Sequence, residues 1–161
     1  FNDTTRNEIR RTDSISTLSF SVPDNSREEI YKLYRMFETQ GGRIFRAKAY
    51  FEKSFLAGAY FEGELQAAVL CYDVFPYLRA HAIVSSSDER FKKWKSFALR
   101  RLIFEICNYG AAQKYTWFDL GGINMKDPIK AGITNFKRSF SDELIDEYTY
   151  IYTWWPLKII F

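Results

Sequence analysis

The chain has 161 residues, of which 47% are hydrophobic and 27% charged, and its formal net charge at pH 7 is +3. This length and composition exclude a disordered chain, and we expect one compact domain over residues 1–161. No apolar run is long enough to cross a bilayer, and the mild charge excludes a dedicated DNA-binding protein. We expect a cytoplasmic protein, with peripheral contact at the inner face of the membrane as an additional expectation.

The cysteines and the first residue bear on compartment and chain boundaries. Cys71 and Cys107 lie in apolar segments without metal-ligand spacing, so we expect buried reduced thiols and no metal site. The chain begins at Phe1 rather than Met, and no signal-peptide pattern follows. We interpret this start as a boundary within a longer protein or as a trimmed end.

The first forty residues predict an arm, a strand and a helix. Residues 1–14 are polar and form a short helix or an arm, and Leu18 to Val22 alternates as a strand that Pro23 ends. Ser26 and Glu29 have the spacing of a capping box, and apolar residues then recur with helical period up to a pair of glycines. A well-defined amphipathic helix is therefore expected after the first strand.

The middle of the chain predicts a shorter helix and three antiparallel strands. The helix covers about Ala47 to Phe55 and buries Tyr50 and Phe51. Two strands, Leu56 to Phe61 and Leu65 to Tyr72, are joined by a tight turn whose glycine permits positive φ. A third strand follows from Tyr77 to Val84, and the face that we expect to line a cleft carries Tyr77, Arg79, His81 and Ile83.

The last third predicts a crossover helix, two strands and a second helix. The crossover helix runs from Lys95 to Asn108 and ends at Gly110, and the next strand covers Tyr115 to Leu120. A helix lies between residues 128 and 140, and Glu147 to Thr153 alternates as a last strand. This element order predicts an α+β (mixed α/β) fold, with a central, mostly antiparallel twisted sheet flanked by helices.

Two motifs in the last third carry a family resemblance. The strand ends in "DLGG" at residues 119–122, and "G-I-x-x-F-K" follows at residues 132–137, with Phe140 after it. An "R-x-x-I-R-[RK]" segment also occurs at residues 6–11. These motifs resemble the acyltransferase domains of the Fem family, which add amino acids to peptidoglycan precursors, and their short relatives in the Gcn5-related N-acetyltransferase (GNAT) superfamily. The resemblance implies a GNAT fold over nearly the whole chain.

The resemblance also implies an activity. It implies an N-acyltransferase that moves an acyl or aminoacyl group from acyl-CoA, acetyl-CoA or another activated carrier, without a metal. The acceptor would be an amine of a small molecule or of a cell-envelope or surface-polysaccharide precursor. We expect direct transfer, because neither cysteine has the histidine partner that a covalent intermediate would need.

The candidate catalytic residues are Lys137 and Asp119. The resemblance implies that Lys137 stabilises the donor end and the transition state. Asp119 ends a strand beside two glycines, where its carboxylate either accepts the proton of the attacking amine or binds loop amides. The candidate substrate-binding residues are Phe136, Asn124, His81 and Arg79.

A basic cluster around the crossover helix is the candidate donor-binding site. Basic side chains close to a helix N-terminus favour a phosphate group, and the candidates are Arg90, Lys93, Arg100 and Arg101. No glycine occurs between Ser85 and Arg100, so the Q/R-x-x-G-x-G/A turn of acetyl-CoA-dependent relatives is absent. This departure weakens the prediction of an ordinary acetyl-CoA site.

Two other functions remain open. The basic cluster could instead hold aminoacyl-tRNA or acyl carrier protein, in a transferase that modifies peptidoglycan. The chain could also be a noncatalytic GNAT-like module that contacts a membrane through Trp154 and Trp155. Salt dependence of donor binding and binding to liposomes would separate these alternatives.

Overall fold

The computed structural model describes residues 1–123, 125–141 and 143–147. Within these residues, five strands form one sheet, in which β1 to β4 are antiparallel and β5 lies parallel to β4. The strands are β1 Leu18–Ser21, β2 Ser54–Phe61, β3 Glu64–Val74, β4 Tyr77–Ser85 and β5 Trp117–Asp119. Their spatial order follows the chain. The predicted mixed fold with a mostly antiparallel sheet is confirmed.

Five α-helices surround this sheet in the described part of the chain. They are α1 Asp3–Thr12, α2 Arg27–Gln40, α3 Glu89–Lys92, α4 Lys95–Ala112 and α5 Ala131–Arg138. Short 3-10 turns cover Lys48–Phe51 and Pro128–Lys130. None of the described helices is long and apolar enough to cross a membrane. The polar N-terminal segment is thus a helix, and α4 is the crossover that joins two parallel strands.

The core has two layers because successive residues of the central strands point to opposite faces of the sheet. On one face α4 packs through Leu102, Ile103 and Ile106, which are at most 1% exposed. On the other face α2 packs through Ile30 and Leu33. The sheet is therefore covered on both sides, and β2 and β3 lie between α2 and α4.

The predicted helix from Ala47 to Phe55 is wrong. Only a 3-10 turn forms over Lys48–Phe51, and β2 already begins at Ser54, opposite Tyr72. Phe51 is buried as predicted, but Tyr50 is 58% exposed. Pairing with β3 satisfies the backbone of residues 54 and 55, and this tertiary interaction outweighs the local helical pattern.

The predicted capping box at the start of α2 does not form. Ser26 is the N-cap, but its side chain makes no hydrogen bond to the helix backbone. Instead, its hydroxyl forms a hydrogen bond with the Tyr60 hydroxyl at 3.1 Å. Tyr60 also donates to buried Asp24 at 2.7 Å, and Asp24 accepts the Ser26 backbone N–H. Asp24 therefore links the helix start to β2.

Several element boundaries differ from the prediction. α4 continues through Gly110 to Ala112, and β5 is shorter than the predicted strand. Cys71 and Cys107 are both free thiols, but only Cys71 is fully buried as predicted. Partial burial still raises the pKa of the Cys107 thiol to about 11. The predicted last strand, Glu147 to Thr153, lies outside the described residues except for Glu147, which is not in a strand. Trp154 and Trp155 also lie outside the described residues.

Candidate active site

A gap between β4 and β5 is the main structural feature near the motifs. β5 pairs with β4 only where residues 117–119 face Tyr77 to Arg79. From Ala80 onward, no described strand lies beside β4 on this side. We call this space, between β4 residues 80–85 and loop residues 120–122, the β4–β5 gap. Backbone groups of β4 that face it are available to a ligand.

A bulge in β4 adjoins the gap. Leu70 faces Ala82 and Cys71 faces Ala80, so His81 is the additional residue of β4 at this point. A bulge of this kind increases strand twist and redirects the neighbouring side chains. The bulge therefore lies next to the point where β4 and β5 stop pairing.

Gly121 turns the chain across the gap. Its φ is +77°, and a Cβ at this position would lie 3.0 Å from the Ala80 carbonyl oxygen. Glycine adopts positive φ without strain and allows the loop backbone to approach β4 this closely. The loop is therefore held tightly at the beginning of the gap.

Lys137 extends from α5 to this point. Its Nζ donates a hydrogen bond to the Gly122 carbonyl at 2.9 Å and would lie 3.6 Å from a Cβ on Gly121. Burial lowers the pKa of Lys137 and the nearby Arg79 charge lowers it further, whereas the Asp119 carboxylate acts in the opposite direction. The structure thus places a half-buried amino group beside the gap.

Asp119 binds the loop. Its Oδ1 accepts the Gly121 backbone N–H at 2.6 Å, and its Oδ2 lies 3.4 Å from Arg79 Nε. Arg79 also pairs with Glu147 at 2.7 Å. Of the two roles considered for Asp119, the structure shows the contact with a loop amide. Glu147 was not predicted, because its partner lies 68 positions earlier in the chain and no local pattern links them.

The other predicted substrate-binding residues lie apart from Lys137 or outside the described chain. Phe136 is half-buried, with its ring 5.2 Å from the Phe140 ring and 5.1 Å from the Arg100 guanidinium. These contacts fix α5 against α4. Asn124 lies outside the described residues.

His81 lies on the face of the sheet that α2 covers. Its ring stacks on Tyr72 at a centroid distance of 4.5 Å, and its Nε2 is 3.4 Å from the Ser54 hydroxyl. Burial, with a smaller effect from the Arg46 charge, lowers the pKa of His81 to about 4. The imidazole is therefore neutral at pH 7.

The low pKa of His81 predicts a pH-dependent stability. Its ordinary pKa of 6.5 applies to the unfolded chain, which therefore binds the proton more readily than the folded chain between pH 6.5 and about 4. The free energy of unfolding should fall as the pH decreases through this range. Urea unfolding at several pH values should show a smaller fall for His81→Phe, whereas identical pH dependence would contradict the assignment.

The four candidate donor-binding residues do not form one site. Arg90 lies among Asp88, Glu62 and Glu64, with its Nη2 2.8 Å from a Glu64 oxygen. Lys93 lies over the Trp94 ring at 4.6 Å.

Glu8 of α1 and Asp13, the residue that follows α1, pair with the remaining two cations. Arg100 pairs with Glu8 at 3.0 Å, and Arg101 pairs with Asp13 and also with Glu105 at 2.5 Å. The acidic residues of the N-terminal segment supply these partners, although that segment was singled out for its basic residues. Charge pairing between α1 and α4 therefore replaces the predicted basic surface.

Comparison with known proteins identifies the fold. The architecture is that of the GNAT acyltransferases, in a form similar to that of the Fem proteins. FemX superposes with a TM-score of 0.69 at 13% identity, covering 87% of this chain and 54% of the FemX chain. No protein-family model matches the sequence, and no curated protein matches it. The similarity is therefore one of structure.

Two further solved structures illustrate the range of similar proteins. The C-terminal domain of a putative lysylphosphatidylglycerol synthetase from Agrobacterium fabrum has a TM-score of 0.58 at 17% identity, over 73% of this chain and 40% of that chain. An aminoglycoside acetyltransferase from an uncultured soil metagenomic sample has a TM-score of 0.60 at 10% identity, over 86% of this chain and 99% of that chain. This chain thus spans about half of the length of FemX and less than half of the length of the synthetase domain. It spans nearly all of the acetyltransferase.

Proposed function

We propose that this chain is a GNAT-type N-acyltransferase, which moves an acyl or aminoacyl group from an activated carrier to an amine. The observation that carries this proposal is the position of Lys137, whose amino group is held at the β4–β5 gap. The similarity in fold to acetyltransferases and to FemX supports it. The activity itself is argued from the site, because one fold can host many functions.

The proposed reaction is direct attack on the donor carbonyl in the gap. The acceptor amine forms a C–N bond, the carbonyl oxygen becomes an oxyanion, and the C–S or C–O bond to the carrier then breaks. The amine proton finally resides on the released thiol or hydroxyl of the carrier. A lysine ammonium has three N–H donors, and one is used by the Gly122 carbonyl. The other two can stabilise the oxyanion.

Asp119 serves in this proposal as a positioning residue. Its two oxygens face the Gly121 N–H and Arg79, so it orders the loop that carries the Gly122 carbonyl. Through that loop it fixes the direction of the Lys137 amino group. No protein base is assigned to the amine proton.

The carrier is proposed to be acyl-CoA or acetyl-CoA, and the acceptor an amine on a small molecule or a cell-envelope precursor. Three of the four basic candidates have acidic partners, which offers little free charge for a large polyanion such as tRNA. A cytoplasmic location, with or without peripheral membrane contact, is part of the same proposal. FemX and the synthetase domain support the cell-envelope setting only through their similarity in fold.

Thermal stabilisation by candidate donors tests the carrier. A ligand that binds only the native state increases the free energy of unfolding, by about 2.7 kcal/mol at a ligand concentration a hundredfold above Kd. The melting temperature rises as a result. We expect a shift with acetyl-CoA or a long-chain acyl-CoA, measured beside acyl carrier protein and charged tRNA. A shift with tRNA alone that disappears with salt would identify the aminoacyl-tRNA alternative. No shift with any donor would favour the noncatalytic module.

A further inference from the structure

A cavity of about 440 Å³ lies between the start of α1, the first turns of α4 and one face of α5. This volume is within the range of about 300–1,000 Å³ typical of small-molecule sites. The α5 residues that line it are Gly132, Asn135 and Phe136, and Ser139, the residue after α5, continues their helical spacing. Lys137 does not line it. The cavity is therefore a second candidate site, on a different face of α5 from the β4–β5 gap.

Three buried polar atoms have no hydrogen-bond partner among the described residues, and two of them belong to residues that line this cavity. They are Thr5 Oγ1, Glu8 Oε2 and Arg100 Nε. Thr5 is completely buried and, like Arg100, lines the cavity. Glu8 lies nearly one helical turn after Thr5 and contacts Arg100. Nearly all buried polar atoms of native proteins have partners, so these atoms indicate missing interactions.

The protein's own groups leave these atoms unsatisfied. Asn2 accepts the Thr5 backbone N–H at 2.8 Å but not its hydroxyl. Arg100 Nη1 lies 3.0 Å from Glu8 Oε2, yet this ion pair lacks hydrogen-bond alignment. Another threonine of the same helix differs, since the buried Thr12 hydroxyl donates to the Ile9 carbonyl at 2.5 Å. Of the three unsatisfied atoms, Thr5 Oγ1 and Arg100 Nε thus belong to residues that line the cavity.

These atoms define the chemistry of a complementary ligand. Of the two unsatisfied atoms whose residues line the cavity, Arg100 Nε requires an acceptor, and the Thr5 hydroxyl can use either a donor or an acceptor. A hydroxyl group provides both functions. Because the Glu8 and Arg100 charges offset each other, the site offers no net charge to attract an ion. We propose that this cavity binds a small, uncharged, hydroxyl-rich ligand, such as a monosaccharide unit.

Ligand-observed NMR tests the proposal independently of acyl transfer. D-ribose and D-glucose are the probes, and inorganic phosphate is the charged comparator. We expect saturation transfer from the protein to at least one sugar, strongly reduced in Thr5→Val and Asn135→Ala. Thr39→Val, an exposed threonine at the end of α2, serves as the matched control and should bind like the wild type. No transfer to either sugar, or equal transfer to the Thr5 variant, would overturn the proposal.

A matched pair of variants tests whether the buried Thr5 hydroxyl lacks a hydrogen-bond partner. Thr5→Val removes a buried hydroxyl that has no partner, whereas Thr12→Val removes one that is hydrogen-bonded. Without ligand, the melting temperature should be unchanged or higher for Thr5→Val and lower for Thr12→Val. Equal losses in both variants would show that Thr5 is already satisfied, and the cavity would then lose its assigned chemistry.

Discussion

Lys137→Ala is expected to lower kcat for acyl transfer by roughly 100- to 1,000-fold, the usual effect of removing one oxyanion-stabilising donor. The physical reason is the position of its Nζ, which the Gly122 carbonyl holds at the β4–β5 gap. Steady-state kinetics with the donor found by thermal shift provide the measurement. Lys137→Arg should keep part of the activity, because a cationic donor remains while its geometry changes.

Arg138→Ala is the matched control for this prediction. Arg138 is the next residue of α5, also cationic and in the last helical turn, but it is exposed. Its variant should keep the wild-type kcat and a similar melting temperature. Full activity in Lys137→Ala, with its fold retained, would remove Lys137 from the mechanism. If Lys137→Ala and Arg138→Ala lost activity to the same extent, the cause would be a general effect on α5 instead.

The pH profile of the wild type provides a second criterion. The pKa of Lys137 lies below its ordinary value of 10.5 because the side chain is half-buried. Oxyanion stabilisation by an ammonium should therefore decline at a lower pH than for an exposed lysine. Attack requires a neutral acceptor amine, so the rate should first rise with pH and then fall. The falling side should move to higher pH in Lys137→Arg.

Gly121→Ala is expected to destabilise the loop and to reduce activity together. The backbone φ of +77° costs an alanine about 1–2 kcal/mol, and its Cβ would lie 3.0 Å from the Ala80 carbonyl oxygen. Relief of this contact must move the loop or β4. Because the neighbouring Gly122 carbonyl holds Lys137, the displacement should lower kcat as well as the free energy of unfolding.

Gly42→Ala separates the cost of the positive φ from the cost of the close contact with the Ala80 carbonyl. Gly42 has a φ of +65°, similar to that of Gly121, but a Cβ there would meet nothing within 4 Å. It should therefore show the backbone cost alone, with unchanged activity. The difference between the two variants in the free energy of unfolding, determined with urea, measures the energetic cost of the close contact with Ala80. Equal stabilities and equal activities would show that the loop does not depend on that contact.

The elements that were predicted correctly from sequence are those that a local pattern of residues determines. The apolar period of α2 and the glycine turn before β3 predicted a helix and a hairpin, since both signals arise from neighbouring residues. The helix predicted from Ala47 failed because the competing interaction, pairing of Ser54 with Tyr72, joins distant segments. Local patterns contain no information about such pairing.

The same distinction applies to the candidate site. Motif spacing led to Lys137 and Asp119, and the structure brings both to the loop at Gly121. The partners of the predicted donor-binding cations could not be found in this way. Arg100 meets Glu8 across more than ninety residues, and only the packing of α1 on α4 brings them together.

The pairing of α1 with α4 has a practical consequence for work on shortened proteins. Glu8 and Asp13 neutralise Arg100 and Arg101 from within the chain, as built-in counter-ions. A fragment that begins after residue 14 would leave Arg100 without its carboxylate partner, whereas Arg101 would keep Glu105. Such a fragment should bind nucleic acids and acidic lipids more strongly than the intact chain, in a salt-dependent manner. Deletion of the N-terminal helix would thus free one cation for a polyanion.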